Sequence, residues 1–514
     1  MNTILLADFV NPNTSLPAIL PEMIVAIAGT LVMLYDSFVP KQRVVTGAIS
    51  LGGLLLAAIA LYMMWGEAIP ANAWNGMIAG DGLRLSFSFV SLFVTAITIL
   101  ISTVWTDRED VPVGEYHSLL MFATVGMLFM ASGNDLVILF LGLETLSIAT
   151  YVMAGLRKSD LRSNESSMKY FILGSFATGF LLYGMGLIYG ATGTTNISEI
   201  AVRIANPNFP ALLLIGAAML IIGFGFKAAT VPFHVWTPDV YEGAPTPITG
   251  FMAAGPKAAA FASFMRMFVL GFPLVAGAAA SESLHETWIT ALTVMAMLTM
   301  TVGNVAAIVQ NNVKRMLAYS SIAHAGYALV GFIGAGMAMA ADKRDAAIAS
   351  VAFYMLTYAV TNLGAFAIVS LLAQKNDRRT EFEDYNGIGF KSPVLAFALS
   401  LFMLSLLGLP LTAGFMGKVL VFRPALEAGS PLLTLLVVVA VVNTAVSAYY
   451  YLRLIVVMFF RERTTDWFAP KISAPMTAVL LITILGVLYF GIFSEGVIER
   501  FSHSPAKVVV TAER

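Results

Sequence analysis

The sequence contains no cysteine. That absence excludes disulfides, iron–sulfur clusters, thiolate zinc sites and cysteine nucleophiles. Charge is scarce as well. Asp, Glu, Lys and Arg make up 11% of the 514 residues, where soluble domains carry about 25%. So few charges cannot cover the surface of a soluble fold of this size, which excludes a cytosolic enzyme, a nucleic-acid binder and a disordered chain. The formal net charge is −1, so neither an acidic nor a basic partner is implied. Neither GxGxxG nor GxxxxGK[ST] occurs, and a nucleotide site has no support. Three of the five histidines fall in or beside apparent loops, and two intramembrane histidines argue against a bis-histidine haem. No basic segment precedes the first apolar run, so a cleaved signal peptide is not expected.

What is present is apolar: 58% of the residues are hydrophobic. A spanning helix needs about 20 such residues, and the chain divides into about 14 runs of that kind. They are 17–36, 44–65, 85–105, 116–133, 135–155, 168–190, 211–231, 246–271, 287–309, 316–338, 346–373, 392–422, 431–460 and 475–496. Runs this long and continuous exclude a β-barrel and predict an all-α polytopic membrane protein. Of the 29 Lys and Arg, sixteen fall in one set of alternate loops and eight in the other set with the tail; five lie in spans. The richer set is predicted to be cytoplasmic, leaving both termini outside.

Two spans carry helix-breaking residues. The seventh contains Lys227-Ala-Ala-Thr-Val-Pro232, and the twelfth contains Gly408-Leu-Pro410 followed by Gly414-Phe-Met-Gly417-Lys418. Proline removes a backbone donor and clashes with the preceding turn, so each span is expected to break. Five spans separate the breaks, and an odd separation means opposite orientation. Broken helices at matching places predict two inverted five-helix repeats around a midplane site. The expected division is a single membrane domain, 1–514, with repeats at 116–271 and 287–460 and flanking helices at 1–115 and 475–514.

A charge at a helix centre costs about 3 kcal/mol on insertion scales. Glu144, Lys227, Lys257 and Lys418 stand near span centres. Burial disfavours the charged form and an opposite charge favours it, so a lysine between these influences can hold or release a proton. Glu144, in Leu143-Glu144-Thr145-Leu146-Ser147, is read as the partner of Lys227, which stands at the first break. Lys257 follows Gly255-Pro256, and Lys418 follows the second break. His234 and His324 add imidazoles able to pass protons through water. Each has a plainer reading: a buried acid locking helix packing for Glu144, a snorkelling end for Lys227 and Lys418, a hydrogen-bonded packing residue for each histidine. Asp36 and Asp135 are read as interfacial, Glu22 as a carboxylate on a helix N-terminus, and Arg266 and Arg453 as snorkelling.

At these residues the pattern becomes recognisable. Lys227-Ala-Ala-Thr-Val-Pro-Phe-His234-Val-Trp-Thr-Pro-Asp239, with Gly243-Ala-Pro-Thr-Pro247 and Lys257, resembles the signature of the antiporter-like proton-translocating family. That family comprises the large membrane-arm subunits of respiratory complex I (NADH:quinone oxidoreductase) and of Mrp-type cation/proton antiporters. Lys314-Arg-Met-Leu-Ala-Tyr-Ser-Ser-Ile-Ala-His324 is similar to the family's second-repeat motif. The likeness covers nearly the whole chain. Three features resemble one subunit type of complex I: Leu16-Pro-Ala-Ile-Leu-Pro21-Glu22 opening the first span, Lys418 where M-type and antiporter D-type subunits carry glutamate, and no room for the extra C-terminal spans and lateral helix of the L type.

The resemblance implies a proton-translocating subunit with no redox site of its own, driven by quinone reduction elsewhere in the complex. It implies Glu144 and Lys227 as a coupling pair, Lys257 and His324 as central relay groups, Lys418 as the exit-side lysine and His234 as the histidine beside the break. FMN, iron–sulfur clusters and quinone are expected in partner subunits, which would be of the M, L, K, J, A and H types. Lipids are expected around the chain, and no nucleic acid. The implied location is the bacterial inner membrane. Two rival readings are a subunit of an Mrp-type antiporter and one of a related membrane-bound hydrogenase or dehydrogenase. A third is a passive scaffold whose buried charges only lock helices.

Overall fold

Proline at the first helical position, aspartate or asparagine caps and long apolar stretches decide where the helices begin and run. A computed structural model describes residues 15–39, 42–66, 73–463, 470 and 472–503. Lys41, Lys471, Lys507 and Arg514, which entered the loop-charge comparison, lie outside the described residues. Within them the chain forms α1 (Leu20–Phe38, entered through a 3-10 turn at Pro17–Ile19), α2 (Arg43–Met64), α3 (Gly82–Glu109), α4 (Val113–Ser132), α5 (Leu136–Ala154) and α6 (Leu161–Thr192). The short α7 (Ile197–Arg203) precedes α8 (Pro210–Ala228), α9 (Thr237–Gly243), α10 (Thr246–Met265), α11 (Ala279–Ile308), α12 (Val313–Met337) and α13 (Ala341–Leu372). After a one-turn helix at Ile388–Lys391 come α14 (Pro393–Leu407), α15 (Ala413–Glu427), α16 (Pro431–Phe460), α17 (Ala474–Ile492) and α18 (Glu495–Ser502).

Asp81, Asp135, Asp160 and Asn312 cap α3, α5, α6 and α12, each accepting from a backbone N–H two or three residues on at 2.8–3.1 Å. Twelve helices among the described residues are long and apolar enough to cross a membrane. The expected eighth and twelfth spans are not among them. The eighth, α10, carries Thr, Gly, Pro256 and Lys257 among its apolar residues and continues into a π turn at Arg266–Gly271. The twelfth is split into α14 and α15, each 15 residues long. The helices at the starts of the two expected repeats begin earlier than read, at Val113 and Ala279.

Both breaks occur where the prolines stand. Helix α8 ends at Ala228, Ala229 turns left-handed at φ +59°, and the chain runs through Pro232 to α9. Helix α14 ends at Leu407, and Gly408 (φ +95°) and Leu411 (φ +70°) carry the chain to α15. Glycine tolerates such a φ without the side-chain clash other residues meet.

The burial pattern is graded. Every residue of α10 is buried, as is nearly all of α12 and the apolar length of α13. By contrast only about a third of the apolar stretch of α6, α16 and α17 is buried, as at the periphery of a bundle. Helices pack closely where small residues meet: a Cβ at Gly126 of α4 would stand 2.5 Å from the Gly142 carbonyl of α5, so the two backbones touch there.

Several peripheral charges behave differently from the sequence reading. Arg266 does not snorkel: it is buried and donates to both oxygens of Asp81 at 2.8 Å, and to the Ala131 carbonyl at 2.9 Å. A facing carboxylate removes the need to reach water. Glu22 lies in the first turn of α1 as expected, but it is buried against Arg84 at 2.9 and 3.1 Å. Asp135 is buried, capping α5 and accepting from Thr195 at 2.7 Å. Arg453 is half-buried, donating to the Gln310 carbonyl at 2.9 Å and lying 4.4 Å over the Phe382 ring.

A buried hub joins the two halves of the chain at the end of the bundle where lysines and arginines are dense. Asp377 accepts from Lys314 (3.2 Å) and the Thr246 backbone N–H (3.1 Å), with Arg157 at 3.1 Å and Arg108 at 3.6 Å. Burial pushes the Asp377 carboxyl up, but Lys314, Arg157, Thr246 and Arg108 pull harder and leave it below the ordinary 3.8. Nearby, Asp239 accepts from Lys169 and Arg315 at 2.8 and 2.7 Å, and these cations likewise outweigh its partial burial and hold it low.

Candidate functional site

The innermost helices and the two breaks carry the sequence-predicted charges. Lys227 is in the last turn of α8, Lys257 in the middle of α10, His324 on α12 and Lys418 in the second turn of α15. All four side chains are buried.

Lys227 lies in an aromatic box. Its ammonium donates to the Tyr151 hydroxyl at 3.2 Å and stands 5.0, 5.3 and 5.7 Å from the ring centres of Tyr151, Tyr170 and Phe226. Trp236, just past the break, stacks on Tyr170 at 4.4 Å and closes the box. Ring faces attract cations, so the box partly replaces lost hydration. Glu144 does not form a direct ion pair with Lys227. It is half-buried and accepts from Thr178 of α6 at 2.9 Å. The Glu144 charge nonetheless acts on Lys227 and on Tyr151. Tyr151 is seven residues from Glu144, two turns along the same face of α5.

Lys257 donates to one residue, Ser321 of α12, at 2.6 Å to the backbone carbonyl and 2.6 Å to the hydroxyl. Tyr241 and Tyr358 lie close to the Ser321 hydroxyl, though neither forms a hydrogen bond with it and the buried Tyr358 hydroxyl has no partner among the described residues. His324 lies one turn further along α12. Its Nδ1 is 2.7 Å from the Tyr354 hydroxyl and its Nε2 is 3.2 Å from that of Tyr451. A neutral imidazole has one donor and one acceptor nitrogen, and hydroxyls rotate, so this ring can exchange its roles between two tyrosines. The charges of Lys257 and Lys418 both act on it.

Lys418 folds back over the second break. It donates to the carbonyls of Leu406 and Leu407 at 3.2 and 2.9 Å, groups that the end of α14 leaves without helical donors. Its ammonium is 4.6 Å from the centre of the Tyr327 ring. The structure thus gathers Lys257, His324 and Lys418 into one region, with Lys227 and Glu144 in a second. His234 lies in the first break, half-buried, and no hydrogen bond links it to the lysines. Sequence reading missed the groups around these side chains: the Tyr151 and Ser321 hydroxyls on Lys227 and Lys257, the Tyr354 and Tyr451 hydroxyls on His324, and the Tyr327 ring under Lys418. The available signal was tyrosine and serine recurring at helical spacing in otherwise apolar runs, as in Tyr354 and Tyr358.

The lysines differ sharply from the other buried charges. Arg84 and Arg266 each face a carboxylate. Lys227, Lys257 and Lys418 are held by neutral oxygens and ring faces, with no carboxylate of the described residues within 4.0 Å. Among the described residues, no group of three His, Asp or Glu is arranged to hold a metal ion.

Residues 133–444 match the family described as NADH:quinone oxidoreductase/Mrp antiporter, TM. The chain is 42% identical over 500 residues to NADH-quinone oxidoreductase subunit N of Trichlorobacter lovleyi, covering 96% of this chain and 98% of that one. It is 43% identical over 500 residues to subunit N 1 of Solibacter usitatus, covering 97% and 98%. Among solved structures, a chain of respiratory complex I from Thermus thermophilus with bound aureothin superposes with a TM-score of 0.77 at 35% identity, over 94% of this chain and all of that one. Subunit N is the complex I type to which the opening motif and Lys418 pointed. The chain belongs to the NADH:quinone oxidoreductase/Mrp antiporter transmembrane family, on the branch of the subunit N proteins.

Proposed function

We propose that this chain is the proton-translocating membrane subunit of an NADH:quinone oxidoreductase, and that Glu144, Lys227, Lys257, His324 and Lys418 carry the protons, with His234 lining the first break. One observation carries the assignment of the residues: among the described residues no carboxylate lies within 4.0 Å of Lys227, Lys257 or Lys418, whereas the buried Arg84, Arg266 and Lys314 each face one. A buried cation paired to a carboxylate is fixed in its charged form. One held by hydroxyls and carbonyls keeps its solvation when protonated and loses little when it releases the proton. That is the requirement of a relay.

In this reading Glu144 favours the ammonium of Lys227 through space. Drawing Glu144 away makes Lys227 release its proton toward Lys257, and His324 passes it to Lys418. Quinone reduction elsewhere in the complex supplies the energy. FMN, iron–sulfur clusters and the quinone site belong to partner subunits, read as the M, L, K, J, A and H types. The chain lies in a bacterial plasma membrane with both termini periplasmic, as the loop lysines and arginines suggest. The two breaks mark inverted repeats within one membrane domain, and α10 and the α14–α15 pair supply two further crossings beside the twelve long helices.

The test is the assembled complex carrying Lys227→Ala, Lys257→Ala or Lys418→Ala. Assembly with lost proton pumping supports the relay. Normal pumping by all three ends it, and failed assembly by all three returns the charges to a scaffold role.

A further inference from the structure

Beside the relay lies a polar side chain that none of the charges explains. Asn304 on α11 is fully buried between α12 and α16. An amide in the middle of an apolar bundle is costly unless its groups are satisfied, and those of Asn304 are satisfied by an unusual set. Its Oδ1 accepts from the Tyr450 hydroxyl at 2.9 Å. Its Nδ2 faces the Tyr327 hydroxyl at 3.1 Å, the Met300 carbonyl at 2.9 Å and the Oδ1 of Asn443 at 3.3 Å. The Met300 carbonyl can only accept, so it fixes Nδ2 on that side of the amide; the two N–H groups there face Met300, Tyr327 and Asn443, and the Tyr450 hydroxyl donates to Oδ1.

Both tyrosines lead to the relay. The Tyr327 ring is the face on which the Lys418 ammonium rests, 4.6 Å from its centre. Tyr450 packs against Tyr451 with ring centres 4.3 Å apart. Tyr451 in turn places its hydroxyl 3.2 Å from His324 Nε2 and 2.5 Å from the Ser320 hydroxyl. One amide therefore fixes the tyrosine under Lys418 and supports the tyrosine that touches His324. A phenol ring free to swing would leave the ammonium without its ring face and shift the His324 partner.

We propose that Asn304 is a positioning residue of the proton relay, acting through the Tyr327 hydroxyl on Lys418 and through Tyr450 and Tyr451 on His324. This rests on the relay reading given above. It adds a residue on α11, a helix that contributes no charge to the site, and it makes the His324-to-Lys418 step depend on a neutral amide.

The test compares Asn304→Leu, Tyr327→Phe, their double variant and Lys418→Ala in the complete oxidoreductase, reconstituted into vesicles. Pumping per assembled complex is read across pH. Removing the Asn304–Tyr327 hydrogen bond predicts a loss of roughly 3- to 10-fold in Tyr327→Phe and at least that in Asn304→Leu, which also releases Tyr450, with the pH profile displaced in both. Because both variants break the same link, the double variant is expected to be no worse than the poorer single one. Wild-type pumping and pH profile in the two single variants overturn the proposal, and so do losses that multiply in the double variant. Should Asn304→Leu not assemble, Tyr327→Phe and Tyr450→Phe carry the comparison, and wild-type behaviour in both overturns it. Normal pumping by Lys418→Ala overturns the relay itself. Loss in Lys418→Ala alongside normal Asn304→Leu and Tyr327→Phe overturns only the role of Asn304.

Discussion

The Lys257 ammonium meets Ser321 twice: it is 2.6 Å from both the carbonyl and the hydroxyl oxygen of that one residue. Tyr241 and Tyr358 lie close by without a hydrogen bond to the serine, so its hydroxyl is the branch that stands between Lys257 and further hydroxyls. Ser321→Ala keeps the carbonyl and removes the branch. It is expected to lower pumping about 3- to 10-fold, the range for one lost hydrogen bond, with assembly unchanged. Proton uptake by reconstituted vesicles checks it, and an unchanged rate would show that the carbonyl alone is enough.

Buried ion pairs away from the relay should behave in the opposite way. Glu22→Gln leaves the Arg84 guanidinium buried without its carboxylate. Breaking a buried pair on one side costs about 3–5 kcal/mol. The expected result is a marked loss of thermal stability and yield, while each complex that does assemble pumps normally. Measuring both quantities on the same preparation separates a structural charge from a working one.

Asp377 yields a pH prediction. Its carboxyl is held below the ordinary 3.8 by Lys314, Arg157 and Arg108 despite burial. A depressed folded-state value means that its contribution is present above the unfolded carboxylate range and is lost as pH falls through the lowered value. The stability difference between wild type and Asp377→Asn is thus expected to stay flat from about pH 8 to pH 5 and to shrink below about pH 4. Thermal melts in detergent across that range measure it. A difference that already shrinks between about pH 7 and pH 6 contradicts the assignment.

Gly408 tests the second break. Its φ of +95° strains any other residue, and an added Cβ would lie 3.3 Å from Lys418 Cδ. Gly408→Ala is expected to cost about 1–2 kcal/mol and to displace the Leu406 and Leu407 carbonyls that hold the ammonium. Thermal stability and pumping should therefore fall together. A variant that melts like wild type would mean that the break tolerates a regular backbone.

Hydrophobic runs and prolines made most of the architecture legible, because spanning length and a missing backbone donor act locally. Both breaks lie at Pro232 and Pro410, and even the ends of α16 match the apolar run. The scarcity of charge likewise singled out Glu144, Lys227, Lys257 and Lys418. What stayed hidden depends on which helices face each other. Arg266 read as a snorkelling end because its partner, Asp81, is 185 residues away. Glu144 and Lys227 read as a contact pair, yet their side chains end on Thr178 and Tyr151. A tyrosine in an apolar run looks like packing until it is seen against an ammonium or an imidazole, so Tyr151, Tyr327, Tyr354 and Tyr451 were legible only as polar groups at helical spacing.

The central claim is that a buried lysine held only by neutral oxygens carries protons. Lys257→Met keeps most of the side-chain volume and removes the titrating group. The direct measurement is proton translocation by vesicles containing the assembled complex with this change, set against its rate of NADH oxidation. At least tenfold less pumping by a complex that assembles in normal amount is the predicted result. Wild-type translocation by Lys257→Met would contradict the account.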